Sequence, residues 1–377
     1  MRTAKTTILL LALVAVLAVP SAAGALPRTF FGIGPQTALT DTDVAYMKAG
    51  GIGSVRLPVG WGSVQPTAKR IYDWSSVDPA VEAAAKRGLT ILPFLYGTPR
   101  WLAAKPTMLP VDSGRARSAW KAFVKAAVER YGPGGAFWAE HTPSGGAGGV
   151  GAGGIEYEAP TPLRPVPIRT WQVWNEANFF YFAFPVSPSR YAKLLKLTYP
   201  AIKSVDPQAE VLLSGLFGAP DEQGRRGMDA AVFLDLLYRV RKVERYFDAV
   251  ALHPYAFHVD DLEDLTEAVH DVIVENDDSR IGLYVTEMGW GSQNDPHIVA
   301  FEQGRAGQAR ELRGAYRYLI GNRHRLSLEG TYWFSWKDVQ GDCSFCDSVG
   351  LFHEGAGFRP KPAWRAFVGV TGGRARP

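Results

Sequence analysis

Short apolar runs alternate with amphipathic stretches along the chain from residue 29 onward. The runs are rich in β-branched and aromatic residues, and glycine, proline or charged residues bound them, which is typical of buried strands. Eight strands are predicted, at Phe30–Gly34, Ser54–Val59, Leu89–Tyr96, Arg169–Asn175, Glu210–Gly215, Phe247–His253, Ile281–Glu287 and Gly330–Trp336.

Between these strands, apolar residues recur at spacings of three and four, which predicts helices. The helical stretches include Val77–Arg87, Ala116–Arg130, Ser189–Val205, Met228–Val240, Leu262–Glu275 and Gly304–Gly321. Strands that alternate with helices pair in parallel, and eight such units favour a closed barrel over an open sheet. The predicted fold is therefore α/β, a single (β/α)8 TIM barrel.

Residues 1–25 fall outside this alternation. They combine two basic residues near the start, an apolar run at Ile8–Val19 and a small-residue cleavage signal ending at Ala25. This is the pattern of a secretory signal peptide, and an uncleaved anchor is the alternative. We therefore expect residues 26–377 to form one secreted catalytic domain that is not attached to a membrane after cleavage.

A glycine-rich segment at residues 132–154 also interrupts the pattern. By the strand count it lies between the third helix and the fourth strand, so we expect a surface loop at the bottom of the barrel. It contains G-x-G-x-x-G spacings, but no strand leads directly into it and prolines follow it. A nucleotide site is therefore not predicted there.

Charge and cysteine content narrow the possible partners. The net charge is +4, and two of the positive residues lie in the predicted signal peptide. So small a net charge produces no long-range electrostatic attraction to nucleic acid or to an anionic membrane, and neither partner is predicted. The only cysteines are Cys343 and Cys346; zinc prefers four ligands, so no metal site is predicted, and a local disulfide is expected in an exported protein.

In a TIM barrel, active sites lie at the carboxyl ends of the strands. The run WQVWNEAN places Asn175 and Glu176 at the tip of the fourth strand, and LYVTEMGW places Glu287 at the tip of the seventh. One glutamate at a strand end is usually a salt-bridge partner or a helix cap. Here a functional site is favoured, because two glutamates at strand ends occur together with further polar and aromatic candidates on or after other strands. These are Arg56, His253, Tyr255 and Trp336.

Two facing carboxyl groups suit the cleavage of a glycosidic bond, which needs a proton for the leaving oxygen and negative charge beside the anomeric carbon. Aromatic neighbours of Glu176 are expected to exclude water and raise its pKa, as a general acid requires. Glu287 is expected to stay ionised beside Arg56 or Tyr255. This chemistry needs no metal or organic cofactor.

These motifs resemble glycoside hydrolase clan A, which carries its acid/base on strand four and its nucleophile on strand seven. The resemblance covers about residues 29–370. With the RYGPGG segment at Arg130–Gly135, WQVWNEAN is most similar to family 39-like bacterial endoglycosidases, and families 5 and 30 remain alternatives. Many members have proline after the acid/base glutamate, whereas this chain has Ala177, which loosens the family assignment.

The resemblance implies a retaining mechanism. Glu287 would attack the anomeric carbon, and Glu176 would protonate the leaving oxygen and then deprotonate water, with their carboxyl groups about 5–5.5 Å apart. It also implies supporting roles: a hydrogen bond to the sugar 2-hydroxyl from Asn175, orientation of Glu287 by Tyr255, a subsite wall at His253 and a subsite floor at Trp336.

The expected function is secreted, retaining hydrolysis of a poly- or oligosaccharide. One alternative is a non-catalytic glycan-binding barrel, which would not need both carboxylates, and another is a transglycosidase with the same residues. The sugar, the linkage, endo or exo action and the oligomeric state stay open, and an aryl or lipid aglycone also fits the aromatic run at Phe179–Phe184.

Overall fold

A computed structural model describes residues 26–142, 163–220, 224–294, 301–341 and 343–377. The predicted signal peptide and most of the glycine-rich segment lie outside these ranges. Across the described residues, none of the helices combines the length and the apolar character that a membrane span requires.

Nine parallel strands form the sheet in the described part of the chain. Hydrogen bonding follows the order β5-β4-β3-β2-β1-β9-β8-β7-β6, and a further pairing of β5 with β7 closes the ring. The eight predicted strands are all present, and the short β6 is an addition, so the predicted TIM barrel is confirmed. The strands are β1 Phe31–Gly34, β2 Ser54–Gly60, β3 Thr90–Tyr96, β4 Thr170–Val173, β5 Glu210–Leu212, β6 Leu216–Phe217, β7 Ala249–His253, β8 Gly282–Met288 and β9 Leu328–Phe334.

Helices surround the barrel and bury their apolar faces against it. Ser113 illustrates how they begin, because its side chain accepts a hydrogen bond from the backbone N–H of Ala116 and caps α4. The described helices are α1 Asp41–Ala49, α2 Trp61–Val64, α3 Asp78–Lys86, α4 Gly114–Tyr131, α5 Ala136–His141, α6 Pro188–Lys203, α7 Ala230–Tyr238, α8 Val259–Glu275, α9 Gly304–Gly321 and α10 Pro362–Thr371.

The glycine-rich segment departs from its prediction in the part that the structure describes. Helix α5 lies inside it, so the prediction of a loop is wrong for residues 136–141. Phe137 and Trp138 on this helix are buried, and the indole N–H of Trp138 donates to the carbonyl of Tyr131 at 2.8 Å. The helix itself contains no glycine, and burial of its two aromatic rings stabilises it.

The inside of the barrel changes character along its axis. A small apolar cluster fills its middle, formed by Leu92, Leu212, Ala249, Ala251 and Tyr332. Strand side chains alternate between inside and outside, and β2, β4, β7 and β8 each have an inward position closer to the carboxyl end of the strand. These positions carry polar groups, and they support the site above them, namely Arg56, Gln172, His253 and Thr286.

Candidate active site

A cavity of about 560 Å³ opens at the carboxyl ends of the strands, a size within the range of about 300–1,000 Å³ typical of small-molecule sites. Its lining includes both candidate carboxylates, Glu176 and Glu287, together with Arg56, Asn175 and Tyr255. The structure therefore brings five of the seven predicted catalytic and substrate-binding residues to one cavity.

The chain that follows β4 is bent so that Glu176 faces this cavity. Trp174 and Glu176 have φ angles of 74° and 39°, a left-handed conformation that costs non-glycine residues about 1–3 kcal/mol. Neighbouring backbone holds them there: the N–H of Glu176 donates to the carbonyl of Ser214 at 2.8 Å, and that of Trp174 to the carbonyl of Leu95 at 2.9 Å. The surrounding strands thus compensate for the strain that aims the acid.

The two carboxyl groups lie close together. One carboxylate oxygen of Glu176, one of Glu287 and a ring nitrogen of His253 all lie within 4.8 Å of one another. Retaining glycosidases have carboxyl groups about 5–5.5 Å apart, whereas inverting enzymes need about 6.5–9.5 Å to admit a water. The approach of the two carboxyl groups to within 4.8 Å fits the short spacing of a retaining site.

Glu287 is surrounded by donors that stabilise a negative charge. The Arg56 guanidinium forms a buried ion pair with its Oε1, and the Tyr255 hydroxyl donates to its Oε2 at 2.8 Å. Arg56 also donates to Asn175 Oδ1 at 2.5 Å, so it has a fixed position. Burial and the charge of Glu287 raise the pKa of Tyr255 well above its ordinary value, which keeps this hydroxyl a donor.

Glu176 has the opposite electrostatic environment. Burial raises its pKa well above 4.5, and the nearby charge of Glu287 raises it further, while Arg56 opposes both effects. A carboxyl group with a raised pKa keeps its proton nearer neutral pH, as a general acid requires. The pair therefore combines one carboxyl group whose pKa is raised and one that is paired with the Arg56 cation.

A chain of hydrogen bonds determines which oxygen of Glu176 carries the proton. A guanidinium can only donate, so Arg56 Nε donates to Gln172 Oε1 at 2.7 Å. The amide nitrogen of Gln172 therefore points the other way and donates to Thr286 Oγ1 at 3.2 Å. The Thr286 hydroxyl has no other partner among the described residues, so its hydrogen is satisfied only by donation to His253 Nε2 at 3.0 Å. Nε2 of the neutral imidazole then carries no proton, and His253 Nδ1 donates to Glu176 Oε1 at 2.8 Å. The acidic proton of Glu176 therefore lies on Oε2.

His253 stays neutral in this chain because burial, and secondarily the charge of Arg56, lower its pKa well below 6.5. Gly215 makes room for it. Its φ is +67°, and a Cβ at this position would lie 2.2 Å from His253 Nε2 and 2.9 Å from Gln172 Nε2. Only glycine accommodates both the backbone conformation and the close approach of the imidazole ring.

Asn175 is placed to contact a substrate. Its oxygen accepts from Arg56, which directs its amide nitrogen elsewhere, and the residue lines the cavity. No hydrogen-bond partner for this nitrogen occurs among the described residues. It is therefore available to donate to a substrate hydroxyl.

Two of the predicted site residues lie elsewhere than expected. His253 is fully buried behind Glu176 and does not form a wall of the cavity. Trp336 is also fully buried, its indole N–H donates to Asp43 Oδ1 at 2.8 Å, and its ring packs against Phe352 with centroids 4.7 Å apart. The prediction of a substrate floor at Trp336 is therefore wrong.

The end of β9 explains the error at Trp336. The strand was predicted to continue to residue 336, but it ends at Phe334, and the alternation of side chains along the strand ends with it. Phe334 lines the cavity instead. Its ring lies nearly parallel to that of Phe345, at an interplanar angle of 8°.

A disulfide joins Cys343 and Cys346 in the loop after β9. Both cysteines and Phe345 line the cavity, and the backbone N–H of Val339 donates to the carbonyl of Cys346 at 2.9 Å. The disulfide therefore stiffens part of the cavity wall rather than a remote surface loop.

The same cluster of Glu176, His253 and Glu287 has donor atoms close enough to ligate a metal ion. The cation of Arg56 already pairs with Glu287, however, and a second positive charge beside it would be repelled. The donor set thus fits a carboxyl pair balanced by arginine better than it fits a metal site.

Sequence reasoning did not identify Gln172, Thr286 and Gly215 as part of the site. A signal was present, because Gln172 and Thr286 are polar residues inside otherwise apolar runs. Such a residue must find a hydrogen-bond partner when it is buried, but the sequence does not reveal which partner.

No protein-family model matches the chain. A curated relative, a beta-xylosidase of Geobacillus stearothermophilus, is 40% identical over 57 residues, which amount to 15% of this chain and 11% of the relative. The chain thus matches only a small part of that relative's length.

Solved structures match far more of the chain. A family 39 glycoside hydrolase from Bacteroides cellulosilyticus WH2 has a TM-score of 0.65 and 20% identity, covering 92% of this chain and 64% of that one. A glucosidase from Croceicoccus marinus has a TM-score of 0.64 and 16% identity over 93% and 69% of the two chains. A monomeric beta-xylosidase from Caulobacter crescentus CB15 has a TM-score of 0.61 and 18% identity over 91% and 68%.

These similarities confirm the barrel fold that the resemblance to clan A implies. The molecule is a (β/α)8 barrel of that type, with one glutamate after the fourth barrel strand and another on the seventh. The chain spans 64% of the Bacteroides enzyme's length, and the activities of these proteins are hypotheses for this chain.

Proposed function

We propose that this protein is a retaining glycoside hydrolase. The observation that carries the proposal is the close approach of two carboxyl groups in unequal environments, Glu176 with a raised pKa and Glu287 paired with Arg56. Burying two carboxyl groups side by side is costly, and a reaction that needs one acid and one anion explains the arrangement.

The reaction would proceed in two displacements. Glu287 attacks the anomeric carbon as the bond to the leaving oxygen breaks, and the Oε2 proton of Glu176 moves to that oxygen. A water molecule then attacks the anomeric carbon, Glu176 takes its proton, and the bond to Glu287 breaks. Arg56 and Tyr255 would hold the attacking carboxylate in place throughout.

The names of similar proteins suggest which sugars to test. Among them are beta-xylosidases, a glucosidase and an exo-beta-1,4-mannosidase. We therefore propose a carbohydrate substrate with a β-linked pyranose, and we leave open which sugar it is and whether water or a second sugar accepts it.

The test begins with a panel of 4-nitrophenyl glycosides in both anomeric forms, including xylosides, glucosides and mannosides. On the best substrate, Glu287→Gln should lower kcat/KM on the order of 10⁴-fold, because the amide cannot attack. The matched control is Glu210→Gln at the opposite end of the barrel, which should stay within about twofold. Melting temperatures of both variants show whether each remains folded.

A folded Glu287→Gln variant with more than a tenth of the normal activity would exclude this residue as the nucleophile. Glycan binding without turnover of any substrate would favour a non-catalytic barrel instead.

We also propose that the protein is exported. The signal-like pattern of residues 1–25 and the disulfide between Cys343 and Cys346 support this, since disulfides persist in oxidising compartments. Expression of the full chain in a secreting host should give an extracellular product that begins after Ala25, as intact-mass measurement would show. An intracellular product that retains residues 1–25 would contradict export.

A further inference from the structure

Polar groups in the cavity are confined to a small set. Among the described lining residues, charged and amide side chains come from only five positions: Gln36, Arg56, Asn175, Glu176 and Glu287. Glu176 and Glu287 are the reacting carboxyl groups, and Arg56 hydrogen-bonds to both Glu287 and Asn175. This is enough polar surface to recognise one sugar ring at the reaction centre.

The rest of the cavity is aromatic. Because Glu176 protonates the leaving oxygen, the leaving group must lie on its side of the cavity, over the segment that follows β4. Three aromatic lining residues belong to this segment, and two more pack against them, Phe217 on Phe179 and Tyr96 on Phe182. Together they form an aromatic wall, which consists of Tyr96, Phe179, Tyr181, Phe182 and Phe217. Phe179 and Phe217 lie almost parallel, with centroids 5.1 Å apart and an interplanar angle of 13°.

The aromatic wall leaves apolar surface uncovered. Four of its rings are only partly buried, and Tyr181 at the rim is 65% exposed. Ligand burial of such rings is favourable in proportion to the apolar area removed from water. The wall therefore favours an apolar occupant.

A sugar bound against the aromatic wall would find few hydrogen-bond partners. Its hydroxyl groups would leave water for a surface that, among the described residues, offers tyrosine hydroxyls but no carboxylate, amide or guanidinium group. Polar groups that are buried without partners cost binding energy. An apolar alcohol avoids this cost.

From this contrast we propose that the natural leaving group is an apolar alcohol, alkyl, aryl or polycyclic, that carries a single sugar. The aromatic wall is its binding site. This inference rests on the proposed glycosidase function and specifies the substrate class of that same site. It replaces the expectation of a poly- or oligosaccharide.

Alkyl glycosides test the inference without changing the leaving-group chemistry. Methyl, butyl and octyl β-glycosides of the sugar found in the panel would be compared with the disaccharide of the same sugar. We expect kcat/KM to rise roughly fourfold per methylene at the start of the series, and to be at least tenfold higher for the octyl glycoside than for the disaccharide.

Substitutions in the aromatic wall test whether it binds the alkyl chain. Phe217→Ser and Phe182→Ser should lower the octyl-to-methyl ratio of kcat/KM at least tenfold, because the lost aromatic surface contacts the octyl chain and not the methyl group. Tyr181→Ser should act in the same direction, and this exposed residue can be replaced without disturbing the core. Phe257→Ser is the matched control, because Phe257 is an exposed aromatic residue outside the cavity and should leave the ratio unchanged.

Two failures can be told apart. Equal rates for methyl and octyl glycosides, or a preference for the disaccharide, would overturn the apolar leaving group and leave the hydrolase intact. If no glycoside is cleaved but calorimetry detects binding of octyl 1-thio-β-D-glucoside, the proposed function is overturned and the aromatic wall binds apolar ligands for another purpose.

Discussion

The two ends of the barrel each hold a pair of carboxyl groups. The upper pair is Glu176 and Glu287. The lower pair is Glu210 and Glu329, each with a carboxyl oxygen 3.0 Å from the Tyr284 hydroxyl oxygen. In the lower pair, burial and the charge of Glu329 raise the pKa of Glu210 to about 7. By pKa alone, the lower pair would pass for a catalytic site.

What differs is the surroundings. The upper pair has the cation of Arg56, the hydrogen-bond donor His253 and an open cavity above it. Neither lower carboxyl forms an ion pair with a described residue or lines that cavity. Burial and a neighbouring like charge therefore raise the pKa of a glutamate at either end of the barrel. What distinguishes the upper pair as a site is the Arg56 cation, the hydrogen bond from His253 to Glu176 and the space for a substrate.

The largest expected loss of activity distinguishes the acid Glu176 from the nucleophile Glu287 in the upper pair. Glu176→Ala should lower kcat/KM for a poor leaving group by about 10²–10⁴-fold, because no acid protonates the leaving oxygen. A 2,4-dinitrophenyl glycoside needs no such proton and should be cleaved to the covalent intermediate at close to the normal rate. Added azide should then speed turnover and give a glycosyl azide.

An equal loss on both substrates, with no azide effect in a folded variant, would contradict the assignment of Glu176. The lower end of the barrel supplies the control, since Glu210→Ala should show neither the leaving-group dependence nor the azide effect.

A smaller effect is expected at His253, which acts through Glu176. His253→Leu should lower kcat roughly tenfold with little change in KM, and should move the alkaline limb of the pH–kcat profile to higher pH. The shift has this sign because loss of a donor to Glu176 Oε1 disfavours the carboxylate and raises the pKa of that acid. His253→Asn places an amide nitrogen near the position of Nδ1 and should restore the profile; unchanged limbs in both variants would leave His253 a packing residue.

The smallest effect is on stability, at the lower pair. The folded protein binds the Glu210 proton more tightly than the unfolded chain, so its contribution to stability is lost as pH rises from about 4.5 to about 7. Glu210→Gln should remove on the order of 2 kcal/mol of this pH dependence, as urea unfolding at pH 4.5 and pH 8 would measure. Identical pH dependence in wild type and variant would contradict the raised pKa.

Much of the fold was predictable because strand and helix periods are local properties of the sequence. The eight barrel strands are all found, and helix α9 has the predicted bounds Gly304–Gly321. The failures have tertiary causes. Helix α5 forms where the glycine content predicts a loop, since burial of Phe137 and Trp138 stabilises it.

The site was predictable only where a residue's role follows from its strand position. Glu176 and Glu287 stand at strand ends, and parallel strands bring such ends together. The prediction for Trp336 failed because the strand ends two residues earlier than expected, so the alternation of side chains no longer applies at residue 336. The chain from Gln172 through Thr286 to His253 depends on distances that no local pattern encodes.

Trapping of the glycosyl-enzyme tests the central claim most directly. The wild-type protein would be treated with the 2,4-dinitrophenyl 2-deoxy-2-fluoro glycoside of the sugar that the panel identifies, then digested and analysed by mass spectrometry. We predict one added fluorosugar, on the peptide that contains Glu287. A label on another residue, or turnover of the parent glycoside with inverted anomeric configuration, would contradict the account.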